Sequence, residues 1–266
     1  GTQALLAVTT GNRNIGIGRL AGHKITTGLY NVNIGEWANG SCVTGTYNVA
    51  IGTNCMAANT GSYNTAVGGA ALDTNTSADN NTAIGYSALT ANTTGTELTA
   101  VGKSAGQANT TGTRLTAIGF EAGKANTTGV ENTFIGRKAG LANTTAANNT
   151  VVGSYAFTAN TTGADNVAIG KSALTANTTA SNNTAVGASA LLANTTGASG
   201  TAVGFDALKA VTTGGENTAV GRSAGEALTT GIRNVAIGPY AIYTATTQNY
   251  NTAVGYGALQ TNAASN

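Results

Sequence analysis

The chain of 266 residues has few of the side chains from which catalytic and metal sites are built. Only 8% of its residues are charged, 5% are aromatic, and the single His, His23, reads as a surface substitution in an irregular early repeat. An enzyme requires a constellation of acids, bases, nucleophiles or metal ligands, whereas the ten acidic residues here are dispersed. We therefore predict no catalytic residue, no metal site, no cofactor and no enzymatic activity.

Other absences exclude further classes of protein. The net charge is +2 and the basic residues do not cluster, so nothing favours binding to nucleic acid. No run of eighteen apolar residues is present, which predicts that this segment does not insert into a membrane. The two cysteines, Cys42 and Cys55, occupy different positions of neighbouring repeats. Stacking of the repeats would therefore leave them poorly placed for a disulfide.

A seventeen-residue unit fills the chain, and NTAIGYSALTANTTGTE, residues 81–97, is a typical copy. The Gly that ends its N-T-A-[VI]-G motif falls at Gly18, Gly35, Gly52 and Gly68 and then every seventeen residues to Gly255. The interval between Gly52 and Gly68 is sixteen residues because the turn is one residue shorter. Since the unit continues without a linker, we predict one repeat domain over residues 1–266.

The residues before the motif Gly define two strand columns. Val or Ile always precedes the Gly, and Thr or Val stands two residues earlier. Alternate residues of a strand share a face and β-branched residues favour strands, so both columns should point the same way. We predict that the Thr/Val column is half-buried. We predict that the Val/Ile column, named here the aliphatic column, is the structural core: Ile51, Val67, Ile84, Val101, Ile118, Ile135, Val152, Ile169, Val186, Val203, Val220, Ile237 and Val254.

Small residues and turns make up the rest of the unit. Ala stands three residues after the Gly, as at Ala88, and usually again at six, as at Ala91. The following Asn-Thr-Thr-Gly reads as a turn whose Gly, such as Gly95, needs a positive φ. One unit buries nothing alone, but stacked coils pair their backbones and form ladders of like residues. The sequence therefore predicts an all-β protein, a parallel β-solenoid (β-roll) of about fifteen 17-residue coils.

The motif resembles the head repeat of trimeric autotransporter adhesins, the YadA-like family. Residues 166–170 and 234–238, both NVAIG, are similar to the N-S-V-A-I-G motif of that family. Very similar NTAVGYxAL…NTTG arrays occur in phage-type tail fibres. The resemblance covers essentially the whole chain, although the adhesin unit is shorter. It implies a left-handed roll, a homotrimer and an extracellular location on a cell or virion surface.

Trimer formation also has a physical motive. A seventeen-residue coil encloses a thin core, so three packed chains would bury a further face, and the Ala columns would permit close approach. The alternative is a monomeric roll in which Ala simply fills a narrow interior.

We therefore predict a structural and adhesive fibre segment, a stiff rod from a tail fibre or surface adhesin. The residue directly after the motif Gly, named here the variable column, would contact a cell-surface receptor or glycan through Tyr86, Phe120, Arg137, Lys171, Phe205, Arg222 and Tyr256. One alternative is an ice-binding solenoid that uses an outward ladder of Thr-Thr pairs. Another is a subunit that assembles end to end into filaments, because neither end of this apparent fibre fragment has a capping sequence.

Overall fold

A computed structural model describes residues 1–261. The chain forms two compact units, residues 1–131 and 132–266. Both are built from the same coil, in which one three-residue strand is followed by a series of turns. The predicted all-β parallel solenoid with about seventeen residues per coil is therefore confirmed.

Each coil contributes one strand, and within each unit the strands pair in parallel in chain order. The first unit holds β1 Ile15–Ile17, β2 Val32–Ile34, β3 Val49–Ile51, β4 Thr65–Val67, β5 Thr82–Ile84, β6 Thr99–Val101 and β7 Thr116–Ile118. The second holds β8 Thr133–Ile135, β9 Thr150–Val152, β10 Val167–Ile169, β11 Thr184–Val186, β12 Thr201–Val203, β13 Thr218–Val220, β14 Val235–Ile237 and β15 Thr252–Val254. The register shift equals one repeat, so that Ala168 pairs with Ala185.

Left-handed residues form the corners of the coil. In residues 81–97, Ser87, Leu89 and Glu97 have φ of 56°, 50° and 60°. Gly85 has φ of 133°, and a Cβ there would lie 2.6 Å from the carbonyl of Gly102 in the next coil, which explains the motif Gly. The prediction of a positive φ at the turn Gly is wrong: Gly95 is absent from the positive-φ residues. A Cβ on Gly95 would instead overlap the carbonyl oxygen of Gly112 in the next coil, so close packing between coils explains this Gly.

The aliphatic column does not form the core, so that prediction is wrong. The buried strand residue is the Ala between the two predicted columns, such as Ala83, which is fully buried while Ile84 is 40% exposed. The exposed members of the aliphatic column range from 37% to 67%: Ile84, Ile118, Ile169, Val203, Val220, Ile237 and Val254. The other members are half-buried: Ile51, Val67, Val101, Ile135, Val152 and Val186. The middle residue of each strand faces the interior, so the β-branched side chains on either side of it point outward.

The interior is filled by Ala, by one large apolar residue per coil and by Asn. Ala88 and Leu89 are fully buried within their own coil. Ala88 therefore fills a narrow interior, and the prediction that its column sets the approach between chains is wrong. The Thr/Val column is half-buried in most coils, as predicted.

The position of the large residue varies, and a Gly compensates wherever it moves. In residues 132–148, Phe134 takes the place of the strand Ala and Gly140 takes the place of Leu. Phe134 is fully buried, and a Cβ on Gly140 would overlap its ring. The same exchange pairs Leu228 with Gly225, where a Cβ would lie 3.2 Å from the leucine. In these two coils the Gly offsets the volume of the displaced large residue.

Two columns of buried Asn line the remaining interior. The Nδ2 atom of Asn177, in the turn, donates to Asn160 Oδ1 at 2.9 Å and to the carbonyl of Ala180 at 3.0 Å, and its Oδ1 accepts from Asn194. The Asn before the strand acts similarly: Asn31 donates to the Gly45 carbonyl and accepts the backbone N–H of Asn48. These ladders satisfy backbone and side-chain groups that would otherwise be buried without partners.

The Phe134–Gly140 exchange can be tested by a double-mutant cycle. Phe134→Ala should lower the free energy of unfolding by about 3 to 5 kcal/mol because it leaves a cavity. Gly140→Leu should also destabilise, because the new side chain overlaps Phe134. The double variant recreates the Ala and Leu pair of residues 83 and 89, so chemical denaturation should place it much closer to wild type than either single variant. Additive losses would contradict the compensation.

The Asn ladder predicts a pH-dependent defect. Asn177→Asp removes two donated hydrogen bonds and buries a carboxylate against two acceptor oxygens, which should cost about 3 kcal/mol at neutral pH. Burial makes the folded state hold the carboxyl proton more tightly than the unfolded chain, so the deficit should shrink as the pH falls. Asn182→Asp, at an exposed corner of the same repeat, is the matched control. Equal unfolding midpoints for the two variants at neutral pH would refute the role of the ladder.

Candidate interaction surface

The strands expose a surface that contains no charged side chain. We name it the outer strand face: the aliphatic column together with the Thr/Val column. In β11 these are Val186 and Thr184, on either side of the inward-facing Ala185. Successive coils place like side chains about 4.8 Å apart. All thirty outward positions of the fifteen strands are Val, Ile or Thr.

The variable column borders this face, because it follows the motif Gly of each coil. All seven residues predicted to contact a receptor are exposed: Tyr86, Phe120, Arg137, Lys171, Phe205, Arg222 and Tyr256. Two of the arginines contact an aromatic residue in the next coil, at the position that follows the variable column. Arg137 lies over the Tyr155 ring at 5.0 Å, and Arg222 lies over Tyr240 at 5.6 Å. The column thus presents aromatic and cationic groups, which are common in binding surfaces.

The Thr-Thr pairs do not form the double outward ladder on which the ice-binding alternative depends. In most pairs the first Thr is half-buried and its hydroxyl donates to a backbone carbonyl of the next coil: Thr93 Oγ1 donates to Thr110 O at 3.0 Å. Only the second, such as Thr94, is exposed. The pairs therefore contribute to coil stacking and leave one outward Thr per coil.

The structure closes most of the apparent glycosylation sequons. The Asn residues of the NTT triplets, including Asn92, Asn109 and Asn126, are fully buried, and each Nδ2 donates within the ladder. A glycan on these atoms is incompatible with the fold. Asn80 and Asn148, which begin Asn-Asn-Thr sequences, lie instead at exposed corners.

The corner before each strand carries a further exposed column that sequence reasoning missed. Tyr30, Tyr47 and Tyr63 stack there with centroid distances of 4.7 and 5.3 Å, and the guanidinium of Arg13 lies over the first ring. In the second unit, Arg233 occupies this column beside Glu216 and hydrogen-bonds it, which lowers the pKa of that exposed carboxyl. The sequence signal for this column was the regular position of these residues, directly before the Asn that begins the motif of each repeat.

Within residues 1–261, no group of His, Cys, Asp and Glu could hold a metal ion. No helix in the same part of the chain is long and apolar enough to cross a bilayer. No family model matches the chain, and no curated protein matches it significantly.

The two cysteines are buried free thiols. Cys55 stands in the Ala88 column and donates to the carbonyl of Ala66 at 3.2 Å. Cys42 stands in the turn Asn column, near the carbonyl of Gly45. Burial raises the pKa of both thiols, that of Cys55 from 9.0 to about 12.

The thiol pKa predicts how stability changes in alkali. Between pH 9.0 and about 12 the unfolded chain releases the Cys55 proton while the folded chain retains it. The free energy of unfolding should therefore fall as the pH rises through this window. Cys55→Ala, which introduces the usual residue of that column, should lose this part of the pH dependence. Neither native thiol should react with a maleimide at neutral pH, whereas rapid labelling would show that the cysteines are accessible.

Proposed function

We propose that the chain is a segment of an extracellular fibre, of the tail-fibre or surface-adhesin kind. It assembles as a homotrimer through the outer strand face and attaches to its target through the variable column. The observation that carries this proposal is the outward aliphatic column, which the sequence had suggested as core. The resemblance of the repeat to YadA-like heads supports the number of chains and the location.

The composition of the outer strand face favours its burial against the same face of another copy of the chain. Soluble monomers rarely expose long contiguous apolar patches. A solvated sheet face usually carries polar side chains, yet the two outward columns contain no charged residue. Val, Ile and Thr are stiff at χ1, so packing them costs little side-chain entropy. A second and a third copy offer the same columns at the same coil spacing.

The mechanical role follows from the bonding between coils. In each unit, backbone groups of one coil pair with the next along the strand and around the turns, as in Gly187 N–H to Ile169 O at 2.7 Å and Leu191 N–H to Ala207 O at 3.0 Å. The Asn ladders add side-chain bonds in the same direction. Such a structure resists local opening, which suits a shaft that displays side chains at fixed intervals.

The mass in solution tests the assembly. One chain has a mass of 26.0 kDa, so a homotrimer should be found at 78 kDa by light scattering or native mass spectrometry. Ile169→Lys with Val186→Lys places two charges on the outer strand face and should shift the mass toward 26.0 kDa. The control, Thr179→Lys with Thr196→Lys, adds the same charge to exposed turns of the same repeats and should remain a trimer.

The other outcomes distinguish the alternatives. A wild-type monomer at high concentration would overturn the trimer, and thermal hysteresis in that sample would establish ice binding. A broad series of higher multiples, unaffected by the lysine pair on the outer strand face, would indicate end-to-end filaments instead.

A further inference from the structure

A groove lies in the second unit, and it involves neither the outer strand face nor the variable column. Its volume is about 550 Å³, within the range of small-molecule sites. Its floor consists of the methyl groups of Ala193, Ala210 and Ala227, the second Ala of three successive coils. The residues just before them line it as well, and these are Leu192, Lys209 and Glu226, followed in the next coil by Tyr243 and Thr244.

The charges in the groove do not cancel. Lys209 Nζ is paired with Asp206 Oδ2 at 3.1 Å, so this cation is neutralised by its own coil. Glu226 is half-buried, and within residues 1–261 no cationic side chain is paired with it. The groove therefore combines an apolar floor with one uncompensated negative charge.

An aromatic ring stands next to that charge. Tyr243 occupies the position of Glu226 one coil further on, so the backbones of the two residues lie roughly one coil spacing, about 4.8 Å, apart. Tyr240 meets the Tyr243 ring edge to face at 5.3 Å and holds its orientation. Tyr240 is itself covered by Arg222 and contacts Tyr256 at 5.9 Å.

We propose that this groove binds an organic cation with an apolar body, such as a quaternary or aromatic ammonium compound. The apolar part lies on the Ala floor, and the cationic centre lies between the Glu226 carboxylate and the Tyr243 ring. A carboxylate beside an aromatic ring attracts such cations through charge and through the ring quadrupole. An anion of the same shape is repelled by Glu226, and a neutral analogue lacks the ionic contact.

Calorimetry or ligand-observed NMR on the full chain tests the proposal with three probes of similar size. Benzyltrimethylammonium should bind, benzyl alcohol should bind more weakly, and benzoate should not bind. Glu226→Gln should weaken binding of the ammonium probe roughly tenfold. Gln already occupies this position in another coil, at Gln107, so the variant should fold.

Two further variants separate local recognition from general electrostatics. Asp165→Asn makes the same change in net charge at an exposed corner of the second unit and should leave the affinity unchanged. Tyr243→Leu should weaken binding, whereas Tyr243→Phe should retain it. Absence of ammonium binding, equal binding of benzoate, or wild-type affinity in Glu226→Gln would overturn the proposal. Because the outer strand face takes no part, these results stand apart from those on the trimer.

Discussion

Hydrogen bonding between successive coils, in a register of one repeat, is the constraint on which each unit depends. It places each residue beside the residue at the same repeat position in the next coil. Every side chain must therefore pack against a similar side chain. Asn meets this condition because an amide both donates and accepts, as Asn177 does with Asn160 and Asn194. Charged residues meet it only by alternating in sign, as Arg233 does with Glu216.

The small interior is the second consequence of this geometry. Corners at left-handed residues close the coil after a strand of three residues, and the enclosed space holds little more than one large side chain per coil. The place of that side chain is free, which is why Leu89, Phe134 and Leu228 stand at different positions. Gly106, Gly140 and Gly225 restore the volume where the large residue has moved. The interior is selected for total volume more than for any single residue.

The alternation of the short strand places its most apolar residues on the outside. Val186 and its equivalents flank the inward-facing Ala185, so they form a surface that contains no charge. We propose that this surface associates with further copies of the chain, which would leave the variable column and the groove beside Glu226 for other partners. Interior residues, the outer strand face and the variable column are thus interleaved within seventeen residues.

The period, the all-β solenoid class and the exposure of the variable column could be read from the sequence, because register and turn chemistry repeat in every unit. Which side of the strand faces the interior could not be predicted from the sequence. An alternation such as Thr-Ala-Ile has two faces, and a judgement from hydrophobicity alone assigns the larger side chains to the core. Only the closed coil shows that its interior admits Ala83 and excludes Ile84. The pairing of Phe134 with Gly140 and the groove at Glu226 likewise depend on the tertiary structure, because both arise from contacts between residues that the repeat pattern treats as independent.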